Sequence, residues 1–409
     1  MRFLYSLGIL LYGFLIRVTA LFNTKASEWV KGRKKWQKKL ESQPDLHGCI
    51  WFHCASLGEF EQGRPLIEKI KSKYPKKPIL LTFYSPSGYL IRKDYALADY
   101  VCYLPLDTTK NARAFLNLTK PDVAIFVKYE VWHNFFAEIS SREVPLFMIS
   151  AIFRESQIYF KPYGSWFRKS LKSSNKIFTQ DDESSRLLSS IGIRKNVIAG
   201  DTRFDRVIEI AKSSKNLPVL KDFCSNSITI VAGSTWPPDE ELLMKYYKKN
   251  SNLKLIIAPH EIGEGHINTI LSKFPRAVKW SECQEINTNT DVIIVDTIGL
   301  LSSIYKYGDI AYVGGGFGSG IHNTLEPAVY GIPVIFGPNY EKFKEAKGLC
   351  RENGAKSIGN FIQLESILNK LINEEESRVE MGNNAGAYVN KNSGATQIIL
   401  KDLDRYFLH

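Results

Sequence analysis

Two kinds of apolar run occur along this chain of 409 residues, and length separates them. Short stretches, apolar at nearly every position and bounded by Gly, Pro, Ser or Asp, recur at 49–56, 78–85, 100–106, 122–129, 145–151 and 176–180. A second series lies at 227–235, 253–261, 291–297, 309–316 and 333–338, and mixed segments of helical character separate most of them. A strand that is apolar on both faces is covered on both faces, which requires a parallel sheet between two layers of helices. Two such series predict an α/β chain of two doubly wound, Rossmann-like domains. The first is expected over 25–205 and the second over 226–409, closing with a C-terminal helix. A linker is expected at 206–225, where the strand pattern lapses. Open α/β sheets bind ligands beyond the carboxyl ends of their strands, so two such domains facing a cleft would hold the function there.

The remaining run is longer. Residues 3–22 carry one charge, Arg17, and are long enough to cross a bilayer core as a helix. Lys25, Lys31, Arg33, Lys34, Lys35, Lys38 and Lys39 follow, interleaved with Trp29 and Trp36. Positive charge after the apolar run places the body on the cytoplasmic side and suits an anionic lipid surface. Residues 1–24 are therefore expected to be a membrane anchor. A cleaved signal peptide would carry its charge ahead of the apolar core, the reverse of this order.

Composition adds one constraint. The formal charge of +12 asks for an anionic partner. Nucleic acid is set aside because no RNP, KH, helix-turn-helix or zinc pattern is present. The six cysteines have neither CxxC nor metal spacing and read as small apolar fillers in a reducing compartment.

Two stretches carry candidate chemistry. In "CIWFHCASLGEFEQGRP", residues 49–65, an apolar strand stops at Ser56 and Gly58 and presents Glu59 where a helix begins. An acid there either complements the helix dipole or acts as a base at a strand end. In "YVGGGFGSGIHNTLEPAVYGIPVIFGP", residues 312–338, a strand ends in a glycine run that includes Gly315 and Gly316. His322, Asn323 and Glu326 then mark a strand-to-helix junction, whose amides and helix start suit a phosphate. Ser234 and Thr235 close one neighbouring strand, Pro259, His260 and Glu261 another, and Gly299 follows a third.

With these residues in view, the sequence resembles the bacterial 3-deoxy-D-manno-octulosonic acid (Kdo) transferases, lipopolysaccharide glycosyltransferases of GT-B architecture. The resemblance runs over nearly the whole chain. It rests on "ASLGE" after the first strand, "LPLD" at 104–107, "KPDVAIFVKYEVWHNF" and "GDTRFDR" at 200–206. "GST", "APHE", "DTIGLL" and the "HN.LEP" block with its following "G.PV..GP" complete it.

The resemblance implies a CMP-Kdo donor in the second domain and a lipid A precursor (lipid IVA) as acceptor in the first. It matches Glu59 to the catalytic base and Glu130 to a second essential acid. It matches Ser234, Thr235, His260, Glu261, Gly299, Asn323 and Glu326 to donor positions, and Pro259, Gly315, Gly316 and His322 stand among them. Ser56, Gly58 and Ser87 are the expected acceptor contacts, Gly58 by removing bulk. Departures are Ser150-Ala151-Ile152 in place of "NAR" and His260 where many members carry arginine. No DxD pair stands at a strand end, so inverting transfer without metal or cofactor is expected. Two alternatives remain: a GT-B transferase using a uridine nucleotide sugar on a lipid acceptor, and an inactive membrane-bound scaffold of the same fold.

Overall fold

The computed structural model describes residues 1–43, 46–225, 227–250, 253–283 and 289–407. Two compact units form, one from Met1–Arg206 with Ser393–His409 and the other from Val207–Asn392.

The first unit contains β1 (Ile50–Cys54), β2 (Ile79–Phe83), β3 (Tyr100–Tyr103), β4 (Val123–Val127), β5 (Leu146–Ala151), β6 (Lys176–Thr179) and β7 (Asn196–Ile198). They pair in the order β3-β2-β1-β4-β5-β6-β7, and every pairing is parallel. Residues two apart on a strand share a face, and the cores follow that rule. Ile50, Phe52 and Cys54 pack with Ile67 and Ile70 of the helix Leu57–Lys73, while Trp51 packs on the other face with Phe115 and Phe126. The order reverses between β1 and β4, which makes their carboxyl ends the switch point of the sheet.

The second unit contains β8 (Thr229–Thr235), β9 (Lys254–Pro259), β10 (Ala277–Lys279), β11 (Val292–Ile294), β12 (Ile310–Val313), β13 (Val334–Phe336) and β14 (Ala355–Ser357). Their order is β10-β11-β9-β8-β12-β13-β14, again all parallel. Here the switch point lies between β8 and β12.

All eleven strands expected from apolar runs are present. The three that escaped the pattern, β7, β10 and β14, are three-residue edge strands. An edge strand of that length is half exposed and carries too few apolar positions to register.

The domain boundaries differ from expectation. Residues 206–225 are not an extended linker: they lie largely in the helices Thr202–Lys212 and Pro218–Cys224, with Leu220 and Phe223 in the second unit's core. The expected domain start at residue 226 lies outside the described residues. The last helix, Ala395–Leu403, joins the first unit rather than the second. Ile399, Leu400, Leu403 and Phe407 enter the core that holds Phe60 and Ile67. Asp205 fixes the start of that helix by accepting the Gly394 amide (2.5 Å) and the Thr396 amide (2.6 Å). An amphipathic helix displays an apolar face but does not name its partner sheet. The "GDTRFDR" segment thus works as a staple.

Candidate active site

Glu59 stands in the first turn of the helix Leu57–Lys73, whose N-cap is Ser56. Its Oε2 accepts the Ala55 amide at 2.5 Å, and the Ser56 amide also holds the carboxylate down. This is the backward reach of a capping glutamate. Yet Glu59 is only 5% exposed, and burial pushes its carboxyl above the usual range against those amides and Lys128. The residue is therefore a cap and a buried acid together.

Glu130 follows β4, across the switch point from Glu59. Burial first and the neighbouring Glu59 charge second raise it to about 8, with Lys128 opposing. Lys128 has φ 63°, a left-handed conformation costly for a side chain with a Cβ. Its amide still bonds the Ile149 carbonyl at 2.9 Å, so β5 fixes the turn that carries it. The structure brings Glu59, Lys128 and Glu130 together.

Behind them lies a closed polar network. The Trp132 indole donates to His53 Nε2 (3.0 Å), which leaves Nδ1 to donate to Thr82 Oγ1 (2.9 Å). Thr82 also accepts from the Trp51 indole (2.8 Å) and donates to the Phe52 carbonyl (3.1 Å). Burial lowers the His53 imidazole to about 3, so it stays neutral and holds Trp132 two residues beyond Glu130. Asp107 accepts the amides of Asn134 (3.1 Å) and Phe135 (2.9 Å), closing the start of the helix His133–Ser141.

The expected acceptor residues border this site. Gly58 is exposed, and a Cβ built on it meets nothing within 4 Å. Packing does not require glycine there. Ser87 is exposed at the start of the helix Pro86–Arg92, its hydroxyl 2.5 Å from that of Ser85, and the Ser85 amide bonds the Ala55 carbonyl.

In the second unit the glycines answer to backbone proximity. A Cβ on Gly314 would lie 2.3 Å from the Ser234 carbonyl oxygen, and one on Gly316 would lie 2.6 Å from Gly337 Cα and N. Gly315 has φ 89°. Ser234, φ 53°, sits where the β8–β9 register shifts, a bulge that turns the strand end.

The expected helix-dipole site is weaker than its motif suggests. The helix after His322 and Asn323 is one turn, Leu325–Ala328, with Thr324 at its N-cap and Asn323 Oδ1 accepting the Leu325 amide (3.1 Å) from one residue before. Asn323 also donates to Glu326 (3.0 Å). Four residues add little macrodipole. The longer helix Pro237–Lys249 opens with Pro237 and Pro238 and carries its own acids, Asp239 and Glu240. Asp239 takes the amides of Trp236 and Gly315 (2.9 Å each) and the Tyr312 hydroxyl (2.7 Å).

Instead, aromatic groups gather. His260, exposed after Pro259 at the end of β9, stacks on Trp236 (4.8 Å between centroids) and on His322 (4.4 Å). The Trp236 indole donates to His322 Nε2 at 3.2 Å. Burial and then His260 lower the His322 imidazole to about 4. Thr235 Oγ1 donates to the buried Glu240 (3.2 Å), which also meets His266 (3.0 Å). His266 in turn contacts the carbonyl of the exposed Glu261 (3.0 Å). Thr324 Oγ1 is buried without a hydrogen-bond partner. Gly299 lies in the exposed loop after β11 with φ 89° and open space around it, two strands from β8.

A model of the family described as 3-Deoxy-D-manno-octulosonic-acid transferase (kdotransferase) matches residues 30–206. The curated 3-deoxy-D-manno-octulosonic acid transferase of Aquifex aeolicus is 32% identical over 350 residues, covering 83% of this chain and 91% of that relative. The chain belongs to the 3-deoxy-D-manno-octulosonic acid transferase family. It is a glycosyltransferase. The Haemophilus influenzae member is 28% identical, with 87% of each chain covered. Its fold is GT-B: the crystal structure of Acinetobacter baumannii MurG matches with TM-score 0.57 and 12% identity over 88% of this chain and 100% of that one.

Within this Kdo transferase, sequence reasoning missed Lys128, His53 and Trp132 in the first unit, and Trp236, Asp239 and Glu240 in the second. One signal was available for Lys128. A cation beside two nearby acids favours their charged forms, and "VKYE" places a lysine two residues before Glu130. The others are joined by tertiary contacts with no fixed sequence spacing.

Proposed function

We propose that this transferase moves Kdo from CMP-Kdo to a lipid A precursor, with inversion and without a metal, and that Glu59 is its general base. The observation that carries this reading is the acid pair at the first switch point, whose surroundings pull the two apart. Burial raises Glu59 against the Ala55 amide, Lys128 and the Ser56 amide, whereas burial and then the Glu59 charge push Glu130 up to about 8, with Lys128 alone opposing. Glu59, the only one of the two held by backbone amides, is taken as the carboxylate that accepts a proton, and Glu130 as the carboxylic acid that donates a hydrogen bond.

As the acceptor hydroxyl attacks the anomeric carbon, its proton passes to Glu59. The bond to the phosphate oxygen breaks, and cytidine monophosphate leaves with the electron pair. Glu130, still protonated, orients the acceptor, and Lys128 favours the charged form of Glu59 before the proton arrives. The leaving dianion is assigned to Ser234, Thr235 and the His260–His322 pair, with loop amides aimed at the same charge. No step in this reaction sequence uses a metal ion.

The helix Arg2–Thr19 is long and apolar enough to be a membrane anchor. We place it at the cytoplasmic face of the inner membrane, with anionic lipids against the adjoining lysines.

The test is Kdo transfer from freshly made CMP-Kdo to a tetraacylated lipid A precursor, with EDTA present, followed by mass spectrometry. The wild type is expected to add Kdo and Glu59→Gln to add none. Equal product from both removes Glu59 from its role. Activity lost to EDTA overturns metal independence, and turnover of a uridine nucleotide sugar alone overturns the donor.

A further inference from the structure

The N-terminal helix is apolar enough to span a bilayer, but it does not stand away from the body. Tyr5, Ser6, Ile9, Gly13, Ile16 and Ala20 form its covered or half-covered side, a spacing that keeps one stripe along a helix. The contacts run along most of its length. Arg2 Nε donates to Asn134 Oδ1 (3.0 Å), and the Tyr5 hydroxyl donates to Asp107 (2.7 Å). Gly13 lies so close to the body that a Cβ would fall 2.6 Å from Leu106 Cδ1. The Tyr12 ring meets Trp29 and Tyr84.

The opposite side is bare. Phe3, Leu7, Leu10, Leu11, Phe14 and Leu15 are each more than half exposed. The next helix, Thr24–Arg33, is locked to the same unit. Its Arg33 guanidinium is buried over Trp29 and donates to the Leu104 and Tyr84 carbonyls (2.9 and 2.7 Å). Lys25, Lys31, Lys34, Lys35, Lys38 and Lys39 stay exposed.

Crossing the hydrocarbon would require this helix, about 27 Å long at 1.5 Å per residue, to leave those contacts. The alternative would draw Asp107, a buried carboxylate that caps another helix, into lipid. We propose that the helix lies in the plane of one anionic leaflet, along the carboxyl edge of the first unit's sheet, and does not span the bilayer. Its neighbours Tyr84, Leu106 and Asn134 follow β2, β3 and β4, the edge that also carries Glu59 and Glu130. The bare side enters the acyl boundary and the lysines meet the headgroups, as for an interfacial helix.

This rests on the membrane anchoring proposed above, and two readouts separate the ideas. In a bacterial host, full-length protein carries a protease-cleavable tag ahead of Met1 and another after His409. In-plane seating predicts that both tags are cut in inverted inner-membrane vesicles and neither in intact spheroplasts. A tag ahead of Met1 that is cut only in spheroplasts overturns the in-plane seat and leaves anchoring intact. Flotation of purified protein with phosphatidylglycerol vesicles tests anchoring itself. Leu10→Glu with Leu11→Glu should weaken flotation at least about tenfold with an unchanged melting temperature, and pure phosphatidylcholine should bind less. Unchanged flotation of the double variant, or a soluble dimer through this face that does not float, overturns the proposal.

Discussion

The two switch points occupy equivalent places in two parallel sheets, yet they are built on different physics. At the first, between β1 and β4, two acids are desolvated beside one lysine, and a strained Lys128 backbone is held by β5. At the second, between β8 and β12, the backbone itself comes so close that only glycine fits, the buried Asp239 and Glu240 are taken up by hydrogen bonds within the unit, and imidazoles stack at the strand ends. The difference teaches where each site is vulnerable. The first can lose its chemistry while keeping its fold, whereas the second is bound into the fold through its glycines and Asp239.

The largest effect should come from Glu59→Gln, which removes the proposed proton acceptor but keeps the volume. Turnover is expected to fall by about 10²–10⁴-fold, with a melting curve close to wild type. A fold lost together with activity would mean that capping is the dominant role of Glu59.

Gly316→Ala probes the opposite property. A Cβ facing the Gly337 backbone at 2.6 Å has no flexible side chain to displace, so about 1–3 kcal/mol of stability should be lost. Denaturant titration would show this as a lower midpoint. An unchanged midpoint would deny that close approach dictates the glycine run.

Glu130→Gln sharpens the acid pair. Folded Glu130 binds its proton up to about pH 8, against an ordinary value of 4.5, so the wild type loses stability as pH rises through that window. The variant cannot lose that proton, and its melting temperature relative to wild type should climb from pH 5 to pH 9. The alkaline limb of the activity profile near pH 8 should disappear with it, since an amide keeps the hydrogen-bond donor. A pH-independent difference in melting temperature would remove the charge coupling from the account.

The smallest effect is expected from Gly58→Ala. An exposed helical glycine with open space around its Cβ should gain about 0.5–1 kcal/mol on replacement by alanine. Acceptor KM should nevertheless rise if that open space admits the acceptor. Greater stability with unchanged kinetics would make Gly58 incidental.

The chain's own pattern determined eleven of the described strands, their parallel pairing and the strand ends at which the candidate site residues stand. That follows because a strand covered on both faces must be apolar throughout, whatever lies elsewhere in the chain. Local order likewise exposed Glu59, the glycine run and the anchor-length helix, while Glu130 was picked out through the family resemblance. Tertiary structure alone decided that Ala395–Leu403 returns to the first unit, that Lys128 stands with the two acids, and that Trp236 stacks with His260, which stacks in turn on His322. It also decided that the apolar N-terminal helix lies against Leu106 and Asp107. The physical reason is common to all four. Burial and contact depend on which surfaces meet across long sequence separations, and an apolar face or a charge does not specify its partner.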